Sequence, residues 1–126
     1  MIKAVPVLIK LLTDDESRIR TAAMQSLDRI GWGGHREAIV DAIAPESERI
    51  AFYTNWQVMR RQLPENERRE MLTDERQGIR RMAALGLMEE GDRDLQRRAL
   101  SFLEGSDAGF GAVSYTHLTL PTNVAV

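Results

Sequence analysis

The sequence of 126 residues contains no cysteine, which excludes disulfides, thiolate metal sites, thiol nucleophiles and covalent haem attachment within it. It has no long apolar run either. Lys, Arg, Asp or Glu interrupts every hydrophobic stretch well short of the roughly 18 residues that a membrane-spanning helix needs. Nor is one sign of charge in marked excess: 17 basic residues face 19 acidic ones, for a net charge of −2. Both signs alternate along the same segments, so no unopposed basic cluster stands ready for a phosphate backbone, and nucleic acid is not expected as a partner. Histidine is scarce, and His35 has no second imidazole or thiolate near it in sequence, so no metal site is expected. At the start, "MIKAVPVLIKLL" reads as a helix instead of a signal peptide, because Lys10 breaks the apolar run and no small-residue cleavage site follows. Without cysteine the compartment is unread: cytoplasmic is the default, periplasmic an option for a redox parent.

What is present is a composition, 43% hydrophobic and 29% charged, that suits one domain able to bury a continuous core. It is also repetitive. Residues 72–80, "LTDERQGIR", nearly restate residues 12–20, "LTDDESRIR". Aligned at a shift of 60, residues 11–31 and 71–91 coincide at Leu12/Leu72, Thr13/Thr73, Asp14/Asp74, Ile19/Ile79, Arg20/Arg80, Ala23/Ala83, Leu27/Leu87 and Gly31/Gly91. Ile19, Ala23, Leu27 and Ile30 lie three or four residues apart and share one face of a helix. Midway lies a weaker copy in which, at an offset of 31, Ile50, Thr54 and Val58 take the places of Ile19, Ala23 and Leu27. The period is therefore about 30 residues. The three isoleucines are expected to line a shared interior.

Each period holds two helical patterns joined by a short acidic turn, which predicts an all-α fold of stacked helical hairpins. The first unit places helices near 2–12 and 15–30, with Asp14 or Thr13 capping the second helix, Glu16 completing a capping box, and Gly31 ending it. The second unit places them near 35–43 and 46–62, with Pro45 at a helix start. The third has Pro64 at the head of its first helix, Asp74 before its second and Gly91 at its end. Residues 92–104 begin a fourth unit. The repeat domain is thus expected over 1–104, with units at about 2–31, 35–62 and 64–91.

The stretch "VPVLIKLLTDDESRIRTAAMQSLDRIG" resembles the HEAT-repeat family, in particular its short bacterial forms. It has a proline in a leucine-rich first helix, an aspartate at the turn, Ile-Arg six residues on, then Ala-Ala and Ile-Gly. The resemblance covers residues 2–103 and implies an α-α superhelix, a HEAT-like solenoid of about three hairpins. It also implies a hydrogen-bonded ladder of turn aspartates and helix arginines, here Asp14 with Arg20 and Asp74 with Arg80, broken in the middle unit.

Beyond Glu104 the pattern stops. Residues 105–126 hold no Lys, Arg or Glu, and "VSYTHLTLPT" at 113–122 resembles the translation of a sequencing-library adaptor. On that reading the tail is non-native or disordered and the chain is a piece of a longer protein. The alternative is a native strand or hairpin, since Val, Tyr, Thr and Leu alternate there.

No constellation suggests catalysis. "GWGG", residues 31–34, follows a helix, whereas a phosphate loop follows a strand, so it reads as a helix stop and hinge with Trp32 tucked between units. The acidic groups at 14–16 and 89–92 suit helix ends and lack the spacing of a calcium loop. No Ser, His and Asp are arranged as a nucleophile with its base. Under the repeat offsets, Gln25, Trp56 and Leu85 share a column, as do Asp28, Met59 and Met88, and Thr21, Phe52 and Arg81. In the second and third units these columns turn apolar. Phe52, Trp56, Met59, Arg60, Leu85 and Met88 are therefore candidates either for packing between units or for a partner-binding patch.

The expected function is a protein-interaction or scaffold module without cofactor or catalytic residues, its partner another protein or a missing domain of the same parent. Two resemblances offer alternatives. One is the HEAT-like bilin lyases, enzyme accessories that handle a chromophore. The other is the helical segment of large membrane-associated dehydrogenase-like haem proteins, which "AFYTNWQVMRRQL" resembles. A third relation, to HEAT-like DNA glycosylases, implies a basic concave groove.

Overall fold

Two layers of helices bury the apolar stripes between them. The computed structural model describes residues 4–99, and among these there are seven α-helices and no strand, as the periodicity predicts. They are α1 (Ala4–Leu11), α2 (Ser17–Ile30), α3 (Arg36–Ile43), α4 (Arg49–Gln62), α5 (Glu65–Glu70), α6 (Gln77–Glu89) and α7 (Arg93–Arg97), with short 3-10 turns at Gly33–His35 and Met71–Thr73. The second helices of the hairpins form one layer, in which α4 packs against α2 on one side and α6 on the other. α1 packs on both α2 and α3, α5 on α6, and α7 opens a further unit against α6. The expected tail at 105–126 lies outside the described residues.

The helix ends follow from local chemistry. Gly31 stops α2 at φ 98°, where a side chain would be strained, and its amide returns to the Leu27 carbonyl at 2.8 Å. Gly91 repeats the positive φ after α6. Leu63 turns extended ahead of Pro64, whose ring disfavours a helical residue before it, and α5 begins directly after the proline. Three details differ from expectation. Pro45 lies in the turn after α3, and α4 begins four residues later, capped by the Glu48 carboxylate on the Ala51 amide at 2.9 Å. Thr13 does not cap α2; its hydroxyl donates backwards to the Lys10 carbonyl at 2.9 Å, closing the end of α1. Glu16, expected as a capping-box partner, is the N-cap residue of α2 and makes no side-chain cap bond.

The register of the middle unit also differs. The second helices begin at Ser17, Arg49 and Gln77, so the true steps are 32 and 28 residues. Ala51, not Ile50, corresponds to Ile19 and Ile79. One residue is about 100° of helix rotation, enough to move a side chain from core to solvent. Accordingly Ile50 is 62% exposed while Ala51 and Ile79 are fully buried. The expectation that Ile19, Ile50 and Ile79 share an interior therefore holds for Ile79 alone.

With the register corrected, two kinds of column emerge. Positions Ala23/Asn55/Ala83, Met24/Trp56/Ala84 and Leu27/Met59/Leu87 are buried in all three units and form the core shared with the first-helix layer. Positions Ile19/Ala51/Ile79, Ala22/Thr54/Met82 and Ser26/Val58/Gly86 turn towards the preceding unit, and only the second and third units have one among the described residues. Val5, Leu12, Ile39, Val40, Ile43 and Leu63 complete the core from the opposite side, with Trp32 buried beside them.

Candidate functional site

The restated phrase encodes a restated set of hydrogen bonds. In the first unit the Thr13 hydroxyl donates to the Lys10 carbonyl, the Asp14 carboxylate accepts the Glu16 amide at 2.9 Å, and Arg20 Nη1 donates to the Asp14 carbonyl at 2.7 Å. In the third, Thr73 donates to the Glu70 carbonyl at 3.1 Å, Asp74 accepts the Arg76 amide at 2.8 Å, and Arg80 Nη1 donates to the Asp74 carbonyl at 2.8 Å. The aspartates thus meet their arginines through the backbone oxygen, leaving the carboxylates for the helix start.

Between units the arginine reaches further. Arg20 Nε and Nη2 grip the Glu46 carboxylate at 2.7 and 2.9 Å, and Glu46 occupies in the second unit the place of Asp14, accepting the Glu48 amide at 3.0 Å. Phe52 stands where Arg20 and Arg80 stand, so the second unit offers no such arginine to Asp74. Arg76 of the third unit binds Asp74 instead, at 2.9 Å, and reaches Asp41 at 2.6 Å. Burial opposes the charged form of Glu46, but the Arg20 guanidinium and the Glu48 amide outweigh it and hold the carboxyl below its usual range. The Arg76 guanidinium lowers Asp74 in the same way.

The outer ridge of the second-helix layer is built from positions Thr21/Tyr53/Arg81, Gln25/Gln57/Leu85 and Asp28/Arg60/Met88. Tyr53 is exposed and meets Trp56 edge to face, ring centres 5.3 Å apart at 77°. Arg60 donates to Gln57 at 3.0 Å and to Glu90 at 3.3 Å. Arg61 binds Asp28 at 2.8 Å, which lowers the Asp28 carboxyl despite partial burial, with the Gln62 amide assisting. Arg68, buried although charged, donates to the Leu63 carbonyl and to Glu90.

The six candidates for a partner patch divide. Trp56 and Met59 are buried in the core columns, a position that the one-residue slip concealed. Phe52, Leu85, Met88 and Arg60 are half-buried on or beside the ridge. Tyr53, absent from the six candidates, is the ridge's exposed aromatic, and its signal in the sequence is the column it shares with Thr21 and Arg81. His35 sits half-buried in the turn before α3 and makes no side-chain cap there.

A depression of about 470 Å³ lies over α3 and α5. Both arginines in its walls are tied to carboxylates there, Arg36 to Glu67 and Arg76 to Asp41 and Asp74. Charges paired in this way fix the hairpins relative to each other.

The profile of the HEAT repeat matches residues 4–31, which are α1, α2 and the turn that joins them. The chain carries a HEAT repeat. Its third hairpin repeats the turn hydrogen bonds of that HEAT unit, and all three keep its core columns, so the array is a HEAT-like solenoid. HEAT repeats commonly mediate protein interactions, and among the described residues no helix is long and apolar enough to cross a membrane. Comparison with curated proteins gave no match, nor did comparison with solved structures.

Proposed function

We propose that this chain is a protein-interaction or scaffold module, a segment of a larger HEAT-repeat protein, and that it meets its partner through the ridge of α4 and α6. The observation that carries the reading is the ridge itself. Tyr53 and Arg60 stand beside the half-buried Phe52, Leu85 and Met88, giving an apolar strip with an aromatic and an arginine at its edge. The few residues that dominate protein interfaces are enriched in tyrosine, tryptophan and arginine, which bury large area around a polar or charged tip. Trp56 and Met59 support the strip from beneath, where Trp56 fixes the Tyr53 ring. The charges around it are used in holding the array together, which suits a surface that binds and does not react.

A photo-crosslinking residue placed at Tyr53 tests this in the parent organism's extract. The reading expects one dominant adduct that weakens strongly when Arg60→Glu is introduced in the same chain. Adducts indistinguishable from those captured by a probe at Lys10, and indifferent to Arg60→Glu, would remove the ridge as the binding surface.

A further inference from the structure

The first hairpin leaves open a face that its successors cover. Ile79, Met82 and Gly86 are buried against α4, and Ala51 and Val58 are buried against the first unit, yet the matching Ile19 is 37% exposed and Ala22 is exposed. These positions border an apolar groove of about 540 Å³ whose other wall is Leu8 and Leu11 of α1. A polar group at the rim is also left waiting. Glu46 accepts both the Glu48 amide and the Arg20 guanidinium of the unit before it, whereas its counterpart Asp14 accepts the Glu16 amide, and among the described residues no basic side chain bridges its carboxylate.

We propose that this face is a stacking surface for one more hairpin of the same repeat type, supplied from beyond these 126 residues. That hairpin would bring an aliphatic ridge onto Ile19, Ala22 and Leu11 and an arginine onto Asp14. The occupant is identified by two existing interfaces of the array, since α2 and α4 each cover the equivalent columns of the next unit with a helix of this kind. A second copy of the chain is a poorer fit, because the far face of its last hairpin already carries α7. The seating is that of the first unit on the second, not of the second on the third. Gly78 lets the Ala44 carbonyl oxygen sit where a Cβ would stand, but the first unit has Arg18 there, and the second has Ile50, which stays exposed. The proposal rests on the chain being a segment of a larger HEAT-repeat protein, but this surface shares no residue with the ridge, so loss of one surface leaves the other standing.

The test is a chain in which residues 1–35 are duplicated ahead of Met1, so that the added hairpin carries its own Arg20 towards the original Asp14. The proposal expects the thermal midpoint to rise by about 2–4 °C, the shift that one added kcal/mol produces in a chain of this duplicated length. Ile19→Asp in the original copy should abolish that gain while lowering the midpoint of the unduplicated chain by less than the gain itself, with its helical circular dichroism intact. No rise, or a rise that survives Ile19→Asp, overturns the proposal. Sedimentation of the unduplicated chain should give a monomer; a dimer lost on Ile19→Asp would assign the face to a second copy and overturn the choice of occupant.

Discussion

Arg20 donates from Nη1 to the Asp14 carbonyl oxygen at 2.7 Å and, with the rest of its guanidinium, holds the Glu46 carboxylate of the next hairpin. One side chain closes its own turn and fixes the spacing to its neighbour. Arg18, two residues earlier, points its side chain into solvent at 92% exposure. Arg20→Met should therefore lower the denaturant midpoint clearly, and Arg18→Met should leave it in place. Arg20→Lys should fall between, since an ammonium cannot fork to two oxygens and a carbonyl together.

The corrected register makes a sharp contrast between adjacent residues. Ile50→Asp places a charge on an exposed position and should change stability by less than about 0.5 kcal/mol. Ala51→Asp forces an unpaired carboxylate into the interface with the first unit and should cost more than about 4 kcal/mol, unfolding the chain. Urea titration of the two variants measures both; the reverse order would restore the 31-residue offset.

Trp56 is buried and props Tyr53, so Trp56→Ala should cost about 3–5 kcal/mol by opening a cavity between layers. Tyr53→Ala should cost far less, about 0.5–1.5 kcal/mol for the edge-to-face pair. Thermal melts followed by circular dichroism would show the difference.

Acid should weaken the array. Asp28 and Asp74 sit below their ordinary 3.8 and Glu46 below its ordinary 4.5 in the folded chain. The unfolded chain takes up these protons first, so the stabilisation is complete above about pH 5 and is lost as pH falls through and below 4. Glu46→Gln should flatten the fall between pH 5 and pH 3 in midpoint measurements.

The architecture was legible because core and punctuation recur together: Thr-Asp at the turn, an arginine six residues after the aspartate, glycine at the helix end. The middle unit was not, because it substitutes each signal. Ala44-Pro45-Glu46 replaces Leu-Thr-Asp, Phe52 replaces the arginine, and Asn55 replaces the core alanine, so aliphatic matching settled on Ile50, one residue off. That slip moved Trp56 and Met59 to an outer column and hid Tyr53. Arg68 was illegible for a different reason: in "ENERRE" nothing in the pattern separates the one arginine that turns inward to Leu63 and Glu90 from its solvated neighbour Arg69.

Successive hairpins stack so that α4 is covered on both sides, by α2 and by α6. Native-state hydrogen exchange resolved by residue tests it most directly. The slowest amides should be those of α4 around Trp56, Val58 and Met59, with α2 less protected and α1 and α7 fastest. Exchange in α4 as rapid as in α1 would contradict the stacked array.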